Sequence, residues 1–288
     1  MSEIVVGVDG SEVGMLALRW AAEEAALRRQ PLKIVHALQR WLYDMPEDAA
    51  HAEVGRWARE DANRMLDEAA GVAREVGPRV KVTTELLAGD ARPMLLDAAG
   101  EDAVLVVGGR GEGGFTGLLL GSVAYGVSSR TRGPVVVVQH PVPSPEGEVV
   151  VGVDGSAETG PALEAAFAEA EMRGVPLRTV YAWRQLGWAA RHALPHAGAA
   201  TDVHADEGEA RRTLAAAVSG AAARYPGVRV VEELDLGHPT EALVRASSAA
   251  ALLVVGRRGA GGFPTLRIGS VSRGVLHHAV CPVMIVPR

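Results

Sequence analysis

The sequence predicts an α/β protein made of two copies of one domain, each with a mainly parallel sheet covered by helices on both faces. Three observations carry this expectation. Residues 4–11, IVVGVDGS, return as residues 149–156, VVVGVDGS, at an offset of 145. Residues 104–126, VLVVGGRGEGGFTGLLLGSVAYG, return as residues 252–274, LLVVGRRGAGGFPTLRIGSVSRG, at an offset of 148. Three extra residues must therefore enter the second copy between these motifs. Within each copy, short apolar runs alternate with longer segments rich in alanine and leucine, the pattern of strands joined by helical crossovers.

Taken in order, residues 4–8 read as a buried strand, 12–29 as a helix and 32–37 as the next strand. A variable loop, roughly 39–50, leads to a helix over about 53–75. Residues 80–86 alternate as a strand, 92–99 form a short helix, and 103–107 are a continuous apolar strand. The copy closes on the β-branched run GPVVVVQ at 133–139, matched by CPVMIVP at 281–287. Continuous apolar strands interleaved with helices imply a sheet buried on both faces. The second copy follows the same course, which places one domain at 1–140 and the other at 149–288. Residues 141–148, PVPSPEGE, read as the linker because proline and polar residues dominate them.

Composition narrows the function classes. The chain of 288 residues is 48% hydrophobic and 22% charged, ordinary for a globular protein. Its formal charge is −6 and neither half carries a basic block suited to a phosphate backbone, so nucleic acid is not expected as a partner. No apolar run approaches the roughly 20 residues needed to span a bilayer, so no transmembrane segment is expected. The start passes directly into a strand pattern with no leader signature, and a cytoplasmic location is expected. The single cysteine, Cys281, fits a reducing compartment and reads as a packing residue. The second-copy loop at 184–204 is longer than its counterpart; it either covers a ligand or only occupies surface. Its His192, His196 and His204 lack tight ligand spacing, and no metal site is expected there.

The chemistry lies in the glycine pattern. After the strand at 104–107, Gly108 and Gly111 bound a compact turn, and nine residues later Gly121-Ser122 opens a helix. Glycines let backbone approach a ligand closely. Backbone N–H groups of the turn and the helix start can then surround phosphate oxygens, with Ser122 adding a hydroxyl. Gly256, Gly259, Gly269 and Ser270 repeat the arrangement. With 34 glycines in the chain a single pair would mean little, whereas the full G-x-x-G, nine residues, G-S pattern at equivalent places twice is specific. The opposing reading keeps the glycines as structural remnants of a lost site.

Asp9 and Asp154 each follow a buried strand and precede Gly-Ser, where a carboxylate either accepts hydrogen bonds from a nucleoside or only caps a turn. Ala37 and Ala182, at the ends of the second strands, leave room for a base. Arg110 and Arg258 precede Gly111 and Gly259 and either offset phosphate charge or remain solvated. Phe115 and Phe263 read as loop packing. A P-loop is excluded because the only lysines, Lys33 and Lys81, lie outside the glycine loops. A nicotinamide site is disfavoured because the spacing of Gly109, Gly111 and Gly114 is interrupted by Arg257 in the second copy.

With these motifs in place the chain resembles the universal stress protein family, specifically its tandem-domain, ATP-binding branch. The resemblance rests on both VGVDGS segments, both glycine patterns and both closing strands. It implies Rossmann-like α/β/α domains with a five-stranded parallel sheet ordered 3-2-1-4-5. It further implies that Asp9 and the strand end near Ala37 contact the nucleoside, while Gly108, Gly111, Gly121, Ser122 and the backbone of Val123 enclose ribose and phosphates. Asp154, Ala182, Gly256, Gly259, Gly269, Ser270 and Val271 take these places in the second half. The terminal strands at 135–138 and 283–286 are expected to pair, and two chains to form a homodimer. ATP, with Mg²⁺ on its phosphates, is the implied ligand, and a nucleotide-responsive regulator of stress adaptation acting through conformation or an unidentified protein partner is the implied function. The alternatives are a weak Mg²⁺-dependent ATPase and a structural dimer with degenerate pockets. No catalytic residue is expected, since Ser122 and Ser270 have no visible base partner. Gly109 opposite Arg257 and Thr116 opposite Pro264 depart between the copies, so unequal affinities are expected.

Overall fold

β1, Ile4–Gly7, has three fully buried residues at its start and ends where Asp9 and the Gly10–Ser11 turn break the apolar run. The computed structural model describes residues 3–48, 51–111, 120–156, 159–183, 203–259 and 267–287. The chain divides into two units, residues 1–141 with 282–287, and residues 142–281 with 288.

In the first unit α1, Glu12–Arg28, is capped by Ser11, whose hydroxyl accepts from the Gly14 N–H, and it stops at Arg29 in the left-handed region. Its buried Ala17, Ala21, Ala22 and Ala25 let the helix lie close on the sheet. β2, Leu32–Leu38, pairs parallel with β1 and passes into a short helix, α2, Arg40–Tyr43. That helix interrupts the loop expected at 39–50. Its last carbonyls, of Leu42 and Tyr43, accept from the Arg59 guanidinium of α3, Ala52–Val76, a tertiary contact that no local pattern announces. α3 buries Ala62, Leu66, Ala69, Ala70 and Ala73 at helical spacing.

β3, Val82–Ala88, starts two residues later than expected and is partly exposed throughout, because it forms the outer edge against β2. α4, Ala91–Ala99, is capped by Asp90 and leads to β4, Val104–Gly108, then α5, Ser122–Arg130, and β5, Val135–Val138. The strand order is β3-β2-β1-β4-β5, all parallel. A sixth strand closes this unit: β10, Val283–Val286, runs antiparallel to β5, with Met284 opposite Val136.

The second unit repeats the scheme with β6, Glu148–Val153; α6, Thr159–Arg173; β7, Leu177–Trp183; α7, Val203–Ala222; β8, Val230–Leu236; α8, Pro239–Ser247; β9, Ala250–Gly256; and α9, Ser270–His278. Its parallel strands are ordered β9-β6-β7-β8, the same run around the first strand of the copy. A register shift lets Glu148 and Val149 face Ala250 and Leu252. Arg178 bridges three neighbouring strands, donating to Glu148 and Glu233, and these carboxylates push its pKa up. The copies also share an ion pair one turn apart on the first helix, between a buried glutamate and a half-buried arginine, Glu24 with Arg28 and Glu169 with Arg173.

Candidate nucleotide-binding site

At the carboxyl ends of β1, β2 and β4 the first unit opens into a cavity of about 490 Å³. Asp9, Ala37, Gly108, Arg110, Gly111, Gly121, Ser122 and Val123 all line it. The second unit holds a cavity of about 410 Å³ at the corresponding place, lined by Asp154, Ala182, Gly256, Arg258, Gly259, Gly269, Ser270 and Val271. Each copy therefore brings all eight of its sequence-derived residues around one space.

The carboxylate is oriented by its own turn. Ser11 donates to Asp9 Oδ1 from its backbone N–H at 3.1 Å and its hydroxyl at 2.6 Å. Asp9 Oδ2 faces the glycine loop, where a Cβ added at Gly111 would lie 2.2 Å away. In the second cavity Asp154 Oδ1 accepts from the Ser156 N–H at 3.0 Å, the Ser156 hydroxyl at 2.6 Å and the Thr159 hydroxyl at 2.6 Å. Its Oδ2 lies 2.3 Å from where a Cβ at Gly259 would stand. Turn-forming and cavity-facing roles thus coexist on one side chain, one oxygen for each.

The remaining glycines have separate physical reasons. A Cβ at Gly108 would press within 3.1 Å of the Val13 carbonyl and the Gly14 nitrogen, so this glycine lets the end of β4 meet the start of α1. Gly121 donates its N–H to the Gly109 carbonyl at 2.7 Å, and Gly269 donates to Arg257 at 2.9 Å. This bond ties the helix start to the turn after the strand. Gly121 and Gly269 are N-caps without a side-chain cap, so the cap residues leave the first-turn N–H groups of α5 and α9 to other acceptors.

Sequence reasoning passed over several lining residues. His36 borders the first cavity, its Nδ1 2.8 Å from the Val8 carbonyl, which makes Nδ1 the donor and leaves Nε2 an acceptor in the neutral ring. Gly14 and Thr159 stand at equivalent places, a pairing legible in the 145-residue offset. Leu95 and Leu243 supply apolar lining, and each sits where a Cβ on Gly7 or Gly152 would fall, 2.8 and 2.9 Å away. The first glycine of each VGVDGS motif therefore makes room for a leucine.

Other expectations fall elsewhere. Phe115, Phe263, Thr116, Pro264, His192 and His196 lie outside the described residues, as does most of the 184–204 loop. Arg267 and Arg273 are exposed and do not line the cavity. Cys281 is buried, and burial pushes its thiol up to about 12. Among the described residues no helix is long and apolar enough to cross a membrane.

The profile of the universal stress protein family matches residues 1–139 and again 147–287. The chain belongs to the universal stress protein family. Universal stress proteins of Mycobacterium tuberculosis and Mycobacterium bovis are 35% identical to it over 299 residues, covering 98% of this chain and 94% of theirs. A further universal stress protein of Mycobacterium tuberculosis is 33% identical over 292 residues, covering 98% and 95%. The crystal structure of a universal stress protein from Archaeoglobus fulgidus covers 100% of this chain and 99% of its own, with a TM-score of 0.71 at 20% identity, a likeness of fold.

Proposed function

We propose that this universal stress protein binds adenine nucleotide, ATP, in both cavities and acts as a nucleotide-responsive regulator of stress adaptation. The observation that carries the reading is the convergence, twice, of a strand-end carboxylate, a glycine turn and an uncapped helix start around one cavity. Phosphates fit against the helix N–H groups, the Ser122 or Ser270 hydroxyl and the Arg110 or Arg258 guanidinium. The ribose hydroxyls fit the outward oxygen of Asp9 or Asp154. The base fits the apolar side made by Val35, Ala37 and Leu95, or by Val180, Ala182 and Leu243.

Among the described residues each cavity is lined by a single carboxylate, so Mg²⁺ is assigned to the phosphates rather than to a protein cage. Phosphoryl transfer to water needs a group that orients the water, and the carboxylate oxygen nearest the turn already accepts two or three hydrogen bonds. Binding is proposed to bias conformation or recognition of a protein partner, which requires ATP to bind one state more tightly than another. The working form is proposed to be a cytoplasmic homodimer.

The test is to denature protein purified without added nucleotide and to quantify the released ligand by mass spectrometry against protein concentration. Near-stoichiometric adenine nucleotide, reduced in a Gly121→Ala/Gly269→Ala double variant, is the expected result. Failure of the native protein to take up added ATP would overturn the assignment.

A further inference from the structure

The two cavities share a plan but differ in charge. Residues 256–274 carry Arg257, Arg258, Arg267 and Arg273 and no acid, whereas residues 108–126 carry only Arg110 and Glu112 as charged residues. The glycine segment of the second copy is thus net positive by four charges and that of the first is neutral.

The side chains express this difference. Arg110 lines the first cavity as an exposed residue. Arg258 lines the second while half-buried, and its Nε is buried with no hydrogen-bond partner among the described residues. A buried guanidinium N–H without an acceptor costs free energy unless an anion meets it. Arg257 adjoins both Gly256 and Arg258, and Arg267 stands two residues before Gly269, all three of these neighbours being lining residues. At roughly 3.6 Å per residue, both arginines attach to the chain within a Debye length of about 8 Å of the cavity wall.

The Arg257 position also shows how the copies diverged. A Cβ at Gly109 would lie 2.3 Å from Gln139 Cγ, so the first unit has no room for a side chain there. In the second copy Arg257 replaces Gly109 and, at the same offset, Pro287 replaces Gln139. The carboxylates are held by different groups: the Thr159 hydroxyl donates to Asp154 Oδ1 beside Ser156, where the position equivalent to Thr159 in the first copy is Gly14, which has no hydroxyl.

We infer that the two cavities sort nucleotides by phosphate charge, the second being a polyphosphate site selective for the nucleoside triphosphate and the first taking nucleotides of lower charge equally well. This rests on the reading that both cavities bind adenine nucleotides. Each added phosphoryl group brings negative charge that Arg258, with Arg257 and Arg267 close by along the chain, attracts more strongly than Arg110 alone. The chain would then report the ratio of triphosphate to monophosphate through one site measured against the other.

The experiment titrates full-length protein with ATP and with AMP by calorimetry, isolating each cavity by a variant that drives a methyl group into its carboxylate. Gly111→Ala leaves the second cavity to be measured and Gly259→Ala leaves the first. The ratio of ATP to AMP affinity is expected to be about tenfold or more larger in the second cavity, as one added charged hydrogen bond would give. It should also fall more steeply as salt rises from about 0.05 to about 0.5 M. Adding Arg257→Gln and Arg258→Gln should bring that ratio down to the value of the first cavity. The same arginine pair changed in otherwise native protein gives a reading independent of the glycine variants, with ATP affinity lost at one of two sites and AMP affinity kept. Equal ratios in the two cavities, or a larger one in the first, would overturn the charge-sorting inference and leave nucleotide binding standing. Native protein that binds neither nucleotide would overturn both.

Discussion

Replacing Gly111 with alanine separates a binding defect from a folding defect. The new methyl would stand 2.2 Å from Asp9 Oδ2, about 1 Å inside ordinary carbon–oxygen contact. Gly111 is not among the glycines held at positive φ, so alanine meets no backbone strain there. The clash falls on a side-chain end, which yields more cheaply than backbone. If the carboxylate rotates away it weakens the two hydrogen bonds from Ser11, and the unfolded chain loses some entropy with alanine, an offset of about 0.4–1 kcal/mol. Net stability should therefore change by about 1 kcal/mol or less. Ligand binding should suffer far more, because the displaced oxygen is the one turned to the cavity. Loss of one hydrogen bond to a charged group, about 1.5–3 kcal/mol, lowers first-cavity ATP affinity by about 10- to 150-fold. Calorimetric titration beside a thermal melt measures both quantities. Gly108→Ala is the contrasting control, since its methyl meets backbone of α1 at 3.1 Å and should destabilise by about 1–3 kcal/mol. Two full-affinity ATP sites in Gly111→Ala would refute the placement of Asp9 Oδ2 at the ligand.

Thr159→Val removes a hydroxyl donor to Asp154 at nearly constant volume, and second-cavity ATP affinity should fall several-fold with first-cavity affinity unchanged; equal losses in both would contradict the local role. Asp90 caps α4 and is bonded to Arg92, which holds its carboxyl down at about 2 against an ordinary 3.8. Because the folded value is the lower one, this stabilisation is complete above about pH 4 and is lost as pH falls through about 2. The melting-temperature gap between the native protein and Asp90→Asn should accordingly shrink across that acid window, and a gap that stays constant there would count against it. Cys281, with its thiol held at about 12 by burial, should resist a thiol reagent at about pH 8 until the protein unfolds. Labelling of native protein at the rate of a free thiol would contradict that burial.

The parallel sheet was legible because β1, β4, β6 and β9 are nearly unbroken apolar runs of the kind buried on both faces, whereas the strand order came from the family resemblance alone. β3 begins two residues later than the alternation over 80–86 suggested, because at the sheet edge Thr83, Thr84 and Glu85 are all exposed and burial does not fix the strand's start. α2 escaped notice because four residues carry no period and its anchor, Arg59, arrives from a different helix. Around the cavities, the carboxylate and glycines announced themselves by recurring together. His36 did not recur, its counterpart being Tyr181, and Leu95 resembles any core leucine until the space left by Gly7 is seen. The exchange of Gly109 and Gln139 for Arg257 and Pro287 spans a separation along the chain that spacing rules do not cover.

The position of β10 bears on how the protein is made. Val135–Val138 finds its antiparallel neighbour in Val283–Val286, far along the chain, so the first unit emerges from the ribosome with its β5 edge uncovered. At about 5–20 residues per second, the roughly 140 residues that follow take about 7–30 s to synthesise. Throughout that interval four consecutive valines present an open template for another nascent copy or for a chaperone. A chain that lacks β10 keeps the β5 edge open, so the strand that completes the first unit also covers its most apolar edge.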